Sequence, residues 1–345
     1  VRAVVFDGVG RVRVDEVPDP RPVHPDDAVV RVHLAGICGS DLHFLSGKAP
    51  LAPGEGIGHE AVGTVEAVGP AVETVEVGDR VVVSFAVACG RCWFCRRAET
   101  GLCDQAAVFG AGAFGGGLPG AQAERLLVPH ADHNLLRVPA DVDDERALFV
   151  GDAATTAWYA ATLAEPAGRT VAVVGAGPVG VLLVQALVAL GAERVVALDR
   201  EPSRLAAAAA AGAEIVAVGE RNPHMALARL TEDRGADVAI DAVGHPEAFE
   251  TARSVVRRGG VVIVVGMYAG ESVELQLGPS WAQAVTLRFT GPCPVHACWD
   301  AAMAEVRAGR IDPLPLVSDR LPLEDAQLGY ERFAARAATK VLLVP

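Results

Sequence analysis

Four cysteines stand within 15 residues of one another, as Cys89-Gly-Arg-Cys92-Trp-Phe-Cys95 and then Cys103. Four thiolates so close together are enough to complete a tetrahedral shell around zinc with no open position, the pattern of a structural site. The chain has seven cysteines, an odd number, and opens on Val-Arg-Ala-Val-Val-Phe-Asp, with neither a basic lead into an apolar stretch nor a small-residue cleavage site. These features favour metal over disulfides and a cytoplasmic location by default. A nucleic-acid zinc ribbon would need a second half that the sequence lacks.

Gly175-Ala-Gly177-Pro178-Val179-Gly180 follows an apolar run, Thr170 to Val174, and leads into another of helical character, Val181 to Leu190. In that context the three glycines read as a dinucleotide fingerprint. The first permits a tight turn, the second lets backbone approach a pyrophosphate, and the third lets helix pack on strand, with the phosphates at the helix N-terminus. Asp199 closes the next apolar run 24 positions after Gly175, near the ~20-residue interval of an acid that binds the adenosine ribose hydroxyls. A carboxylate there repels a 2′-phosphate, so NAD is expected over NADP. Arg200 beside it could receive that phosphate and keeps an NADP-linked reductase as the alternative. The bland reading of Asp199 is a cap for the helix that starts at Pro202.

A third set is dispersed: Gly36-Ile-Cys38-Gly-Ser40-Asp41-Leu-His43, Gly58-His59-Glu60 and Gly151-Asp152-Ala-Ala-Thr-Thr156. Any one Cys or His among them, taken alone, reads as core filling. Together with the cysteine cluster and the glycine loop they resemble the zinc-containing medium-chain dehydrogenase/reductase family, the alcohol dehydrogenases, over nearly the whole chain. Gly115-Gly-Gly-Leu-Pro-Gly-Ala-Gln122-Ala-Glu124, Val128-Pro-His-Ala-Asp132 and Thr290-Gly-Pro-Cys293-Pro294 are similar to its formaldehyde-dehydrogenase-like branch. At 345 residues the chain is shorter than the typical formaldehyde dehydrogenase of that branch, so the branch does not define the substrate.

The resemblance implies roles residue by residue. Cys38 and His59 match ligands of a catalytic zinc, and Asp152, four residues ahead of Thr156, holds the place of the third, where many relatives have Cys. The other reading of Asp152 is a helix cap. Three protein ligands leave a fourth position to water or substrate, and zinc there acts as a Lewis acid on an alcohol or carbonyl oxygen. Ser40 matches the group that takes the alcohol proton and passes it, through cofactor ribose hydroxyls, toward His43, whose imidazole suits that task near neutral pH. Asp41 resembles the acid that orients His59. Glu60 resembles a carboxylate beside the metal, with a buried acid merely paired to a base as its alternative. Phe85 matches a position that lines the substrate pocket, whereas Phe44, Phe109, Phe114 and Trp281 read at least equally as core. On the cofactor side the resemblance adds Thr156, Val243 and Val265. Gly39 stands where several relatives carry a pyrophosphate-binding Arg, and Lys340 is expected to supply some of that charge.

These residues need two kinds of scaffold. The first ~145 residues hold short Val-rich, period-two runs (Arg2 to Val5, Ala28 to Leu34, Ala61 to Val68, Arg80 to Ser84) and predict a mainly β region. From Arg169 the pattern turns to strand, helix and strand: Thr170 to Val174, Val181 to Leu190, Arg194 to Leu198. It continues with a helix over Pro202 to Ala211, a strand over Glu214 to Val218, a helix around Pro223 to Glu232, and strands over Asp237 to Asp241 and Val261 to Val265. Apolar strands alternating with helices predict a doubly wound parallel sheet covered on both faces. The run Lys340 to Val344 predicts a strand that pairs back into the β region. The resemblance implies an α/β protein with a GroES-like catalytic domain, residues 1–147 and 287–345, and a Rossmann NAD-binding domain, 148–286, with substrate and cofactor meeting at the boundary.

Composition removes several alternatives. Net charge is −13 with a pI near 5.2, which disfavours nucleic acid and anionic membrane surfaces as partners. Hydrophobic residues make up 51%, but the apolar runs are far shorter than the ~20 residues of a membrane span. The expected function is oxidation of a primary or secondary alcohol with NAD, or the reverse reduction, by a homodimer or homotetramer with two zinc ions per chain. A polyol substrate stays open, as does a catalytically silent NAD- or zinc-binding regulator.

Overall fold

In the computed structural model, which describes residues 1–219 and 222–345, the apolar run Thr170–Val174 is a strand buried at every position. It lies inside a six-stranded sheet, flanked by Arg194–Asp199 and then Glu214–Ala217 on one side, and by Ala236–Asp241, Val256–Val264 and Thr286–Phe289 on the other. All five pairings are parallel. Such strands need crossover connections, and the helices Pro178–Ala189, Pro202–Ala210, Pro223–Leu230 and Pro246–Val255 supply them. Each of the four starts with Pro at its first turn, where the missing N–H costs nothing. The strand order reverses beside Thr170–Val174, and ligands of doubly wound sheets bind at that switch point, outside the carboxyl ends of the strands. Val174, Leu198, Val216, Ile240 and Val264 lead the sheet into its own core. The expected parallel sheet is therefore present, with limits shifted by a few residues and with the helix Pro246–Val255 and the edge strand Thr286–Phe289, neither of which was expected from the sequence, added to it.

The β region forms a seven-stranded mixed sheet in which Val317–Pro322, Lys340–Val344, Ala28–Ile37, Glu60–Val68, Arg80–Val83 and Leu135–Arg137 follow in order, with Arg125–Val128 also paired to Ala28–Ile37. Lys340–Val344 does pair back as expected, antiparallel to Ala28–Ile37 with Val341 opposite Ile37. Tyr330 and Phe333, from the helix Ala326–Ala334, pack into the same core as Val4, Val30, Ile37 and Leu126.

The chain divides into two units, Val1–Thr155 with Pro292–Arg307 and Pro313–Pro345, and Thr156–Gly291 with Ala308–Asp312. The divisions after Thr155 and Gly291 come later than the expected 147 and 286, for physical reasons. The helix Asp144–Val150 packs on the strands Ala28–Ile37 and Glu60–Val68 of the first unit, and Thr286–Phe289 extends the parallel sheet of the second.

Candidate active site and metal centres

Among the described residues, two groups of side chains bring potential ligand atoms all within 4.8 Å of one another: Cys89, Cys92, Cys95 and Cys103, and Cys38, His59, Glu60 and Asp152. Ligands ~2.0–2.3 Å from a tetrahedral zinc stand about 3.3–3.8 Å apart. In the first group Cys92 Sγ lies 3.5 Å from Cys95 Sγ and 3.9 Å from Cys103 Sγ. Backbone N–H groups of Cys89 and Gln105 point at Cys103 Sγ, each at 3.3 Å, and that of Cys95 at Cys92 Sγ, 3.5 Å. N–H donors aimed at sulfur stabilise thiolate. The backbone N–H groups of Cys95 and Asp104 draw the Cys92 thiol down to about 6, while burial and the neighbouring thiols push Cys95 up to about 12. A metal dication resolves this conflict, since it deprotonates all its thiol ligands. The set fits a closed structural zinc.

The second group is assembled from three chain segments. Cys38 follows the central strand Ala28–Ile37, His59 precedes and Glu60 begins the neighbouring strand Glu60–Val68, and Asp152 sits just before the helix Ala153–Leu163. Cys38 Sγ is 3.5 Å from Asp152 Oδ2, and Asp152 Oδ2 is 3.3 Å from His59 Nε2. These are tetrahedral edge lengths. On the far side of the imidazole, His59 Nδ1 meets Asp41 Oδ1 at 3.0 Å, while the other Asp41 oxygen accepts the Cys38 N–H at 2.9 Å. Asp41 thus faces Nδ1, while Nε2 turns toward Asp152 and Ser40, the arrangement a carboxylate that orients a ligand histidine would give. Ser40 Oγ stands 3.4 Å from Cys38 Sγ and 3.3 Å from His59 Nε2. His43 is half-buried on the same short helix, Asp41–Leu45. Phe85 sets its ring edge-on to His59, centroids 6.1 Å apart.

Electrostatics favour a cation at this point. Burial and the Asp152 charge push the Cys38 thiol up. Burial works against a charged His59, yet the Asp41 and Cys38 charges outweigh it and raise the imidazole well above its ordinary value. Burial also opposes the Asp152 carboxylate, but the His59 contact and the Lys340 charge bring it below the usual range. A dication would replace the protons these shifts keep on Cys38 and His59, and the donor set of thiolate, imidazole and carboxylate suits zinc with one position left open.

Glu60 carries its own base. Lys340, 2% exposed, donates to Glu60 Oε2, and its ammonium also lies 5.4 Å from the Phe149 ring centroid. Lys340, expected at the cofactor's pyrophosphate, is thus brought to the metal group. The pairing matches the bland reading of Glu60 in part, but Glu60 Oε1 is buried without a hydrogen-bond partner, which a bound cation would satisfy. Sequence reasoning missed the pair because 280 residues separate its members. The signal was Gly36: a Cβ there would stand 1.8 Å from Glu60 Oε2 and 3.1 Å from Lys340 Nζ, so only glycine leaves the space.

In the second unit Gly175 adopts φ +96°, a conformation that glycine alone takes readily. A Cβ on Gly180 would meet the Gly175 carbonyl oxygen at 2.0 Å, and nothing lies within 4 Å of one on Gly177. Helix and strand therefore touch through Gly180, and the turn presents open backbone at Gly177, the N-cap of Pro178–Ala189. Such a turn can cradle a pyrophosphate. Pro178 and Val179 are half-buried at its rim. The Val243 side chain lies against Gly175, and the Val265 N–H donates to the Asp241 carbonyl, 2.9 Å. Asp199 accepts the N–H of Ala176 at 2.7 Å, of Arg200 at 2.7 Å and of Glu201 at 2.9 Å. The guanidinium of Arg200 turns instead to Glu247, at 2.6 Å. Thr156 lies on the helix Ala153–Leu163. Of the aromatic candidates, Phe44 meets Phe114 edge-on, Phe109 is fully buried, and Trp281 is 85% exposed.

Comparison with known proteins agrees with this chemistry. Residues 24–140 match the alcohol dehydrogenase GroES-like domain and residues 178–306 the zinc-binding dehydrogenase domain. A Mycobacterium tuberculosis protein named "Probable zinc-binding alcohol dehydrogenase" is 40% identical over 99% of this chain and 87% of its own length. The glutathione-independent formaldehyde dehydrogenase of Pseudomonas aeruginosa is 33% identical over 100% of this chain and 97% of its own. The solved alcohol dehydrogenase of Thermus sp. ATN1 superposes with a TM-score of 0.95 at 44% identity, covering 100% of this chain and 99% of that one. Two further structures, each with a TM-score of 0.88 and covering 100% of this chain and 99% of their own, hold different cofactors: NADP in a Sinorhizobium meliloti dehydrogenase at 29% identity, NADH in an Escherichia coli one at 26%. The chain belongs to the zinc-containing medium-chain dehydrogenase/reductase family, the zinc-type alcohol dehydrogenases.

Proposed function

We propose that this chain is an NAD-linked zinc alcohol dehydrogenase that moves hydride between a primary or secondary alcohol, or its aldehyde or ketone, and the nicotinamide. The convergence of Cys38, His59 and Asp152 at tetrahedral edge lengths, beside the Ser40 hydroxyl, carries this reading. Zinc in that group supplies Lewis acidity to a substrate oxygen, and NAD the hydride acceptor. The protein's own side chains do the positioning and the proton work. Asp41 holds the His59 tautomer, and Phe85 gives the substrate side an apolar wall against the imidazole. Ser40 Oγ takes the proton of the substrate hydroxyl and passes it toward His43. Asp199 carries its negative charge beside the glycine turn, and Glu247 engages the guanidinium that would otherwise greet a 2′-phosphate.

The same reading includes a symmetric oligomer in the cytoplasm. Support for the oligomer is the edge strand Thr286–Phe289 with Phe289 67% exposed, together with the exposed Leu277 and Trp281. Among the described residues no helix is long and apolar enough to cross a membrane. The test is a panel of primary, secondary and polyhydric alcohols and their carbonyl products, followed by nicotinamide absorbance with NAD and with NADP, on protein of measured zinc content. Two zincs per chain and at least roughly tenfold higher kcat/KM with NAD, about 1.4 kcal/mol of discrimination, are expected. A fully loaded protein with one zinc, or equal use of the two cofactors, removes the corresponding half of the proposal.

A further inference from the structure

Two buried polar side chains stand behind the Cys38 group and take no part in the chemistry above. Tyr330, on the helix Ala326–Ala334, is fully buried, and its hydroxyl donates to Gln122 Oε1 at 3.0 Å. Gln122, also fully buried, donates from Nε2 to the Gly36 carbonyl, again at 3.0 Å. Gly36 lies two residues before Cys38. On its other side the Gln122 side chain fills the space over Gly58, the residue before His59. A Cβ on Gly58, which sits at φ +87°, would come within 2.4–2.6 Å of Gln122 Cγ, Cδ and Nε2. One amide is therefore wedged between the two segments that deliver the Cys and His ligands. Burial keeps the Tyr330 phenol protonated, hence a donor.

We propose that Tyr330 and Gln122 are positioning residues for the Cys38–His59–Asp152 metal group. The phenol orients the amide, and the amide sets the spacing of the Gly36 and Gly58 segments. A buried Tyr in a core position would satisfy its hydroxyl anywhere. Here the hydroxyl serves a side chain whose remaining contacts are the backbone of one ligand segment and the glycine of the other. Loss of the hydroxyl leaves Gln122 Oε1 unsatisfied and free to turn, and that disturbance reaches both ligands together.

The inference rests on the catalytic-zinc reading, and the experiment separates the two. Wild type, Tyr330→Phe and Gln122→Met are prepared with zinc, and separately with cobalt in the catalytic site. Zinc is then withdrawn by a graded chelator series, and the cobalt d–d spectrum is recorded. Tyr330→Phe keeps the ring volume, and Gln122→Met the length of the chain. Wild type should hold two zincs; if it does not, the catalytic-zinc reading has failed. With that established, each variant should release the catalytic zinc at a roughly three- to tenfold lower chelator concentration and shift the cobalt bands, with the cysteine-bound zinc retained as internal control. The double variant should lose no more than the worse single one, because the two side chains act as a unit. Variants that fold, lose thermal stability alone, and keep wild-type zinc retention and cobalt spectra would reduce the pair to core packing and overturn the proposal. If Tyr330→Phe does not fold, the same comparison on Gln122→Met decides the matter.

Discussion

At the scale of single residues, Asp152 separates the catalytic reading from a bland one most sharply. Its Oδ2 lies within 3.5 Å of both Cys38 Sγ and His59 Nε2, so Asp152→Ala removes a ligand and a charge that offsets the metal. Turnover should fall more than about 100-fold and the easily chelated zinc should be lost, while the second zinc and NAD binding persist. Zinc stoichiometry and NADH formation measured on one preparation check this; two retained zincs with near-normal turnover would mean another third ligand. The cluster of Cys38, His59 and Asp152 was legible in the sequence because short local motifs deliver its members: Cys38 in Gly-Ile-Cys-Gly-Ser-Asp, His59 in Gly-His-Glu. Lys340, Gln122 and Tyr330 carry no such local signature. Their partners lie 280, 86 and 208 residues away, and only the completed sheet brings them together.

At the scale of elements, the cysteine segment has little else to hold it. It contains two short 3-10 turns, Cys95–Arg97 and Thr100–Leu102, and its apolar core is Ala88 and the cysteines themselves. Metal coordination then substitutes for a hydrophobic core, and Cys103→Ala should lower the unfolding free energy by at least about 3 kcal/mol. Thermal unfolding with and without excess zinc is the measurement, and an unchanged melting temperature with abolished turnover would contradict a structural role. The parallel sheet, by contrast, was readable from periodicity alone. Its central strands are continuous apolar runs, and Pro and Gly mark where helices begin and turns fall. The edge strand Thr286–Phe289 was not legible, since Thr-Leu-Arg-Phe is short and largely exposed, and in Val256–Val264 Arg257, Arg258, Gly259 and Gly260 break the apolar pattern of all but its last residues.

At the scale of the molecule, acid stability turns on an unused pair of histidines in the first unit. His133 stacks on His296, ring centroids 4.3 Å apart, and His296 Nε2 bonds Asn134 Oδ1 at 2.8 Å. His296 Nδ1 and His133 Nε2 are buried without partners. Burial and then the neighbouring His133 push His296 down to about 3, and burial pushes His133 down too. The fold therefore needs both rings neutral, whereas the unfolded chain binds protons below about pH 6.5. Their contribution is complete above that pH and is lost as pH falls toward 3. For His296 alone the loss is about 1.4 kcal/mol by pH 5.5. Urea unfolding of wild type and His296→Phe at pH 7.5 and 5.5, in equal excess zinc, should show a flatter dependence in the variant. Equal slopes would place the acid sensitivity elsewhere.

The strand Lys340–Val344 lies between Val317–Pro322 and Ala28–Ile37 in its sheet, and this order governs how the protein is born. At roughly 5–20 residues per second, a ribosome finishes Lys340 to Val344 about 15 to 60 s after Ala28 to Ile37. The second unit, which is nearly one continuous stretch from Thr156 to Gly291, is complete well before that. During the interval the stretch Ala35–Ile37 of the central strand lacks its partner on one flank, the rest of which Arg125–Val128 can already pair, and Glu60 has no lysine. The nascent chain thus passes through a window in which its ligand-bearing strands are made but not yet closed, and a chaperone or a premature stop would act on the molecule there.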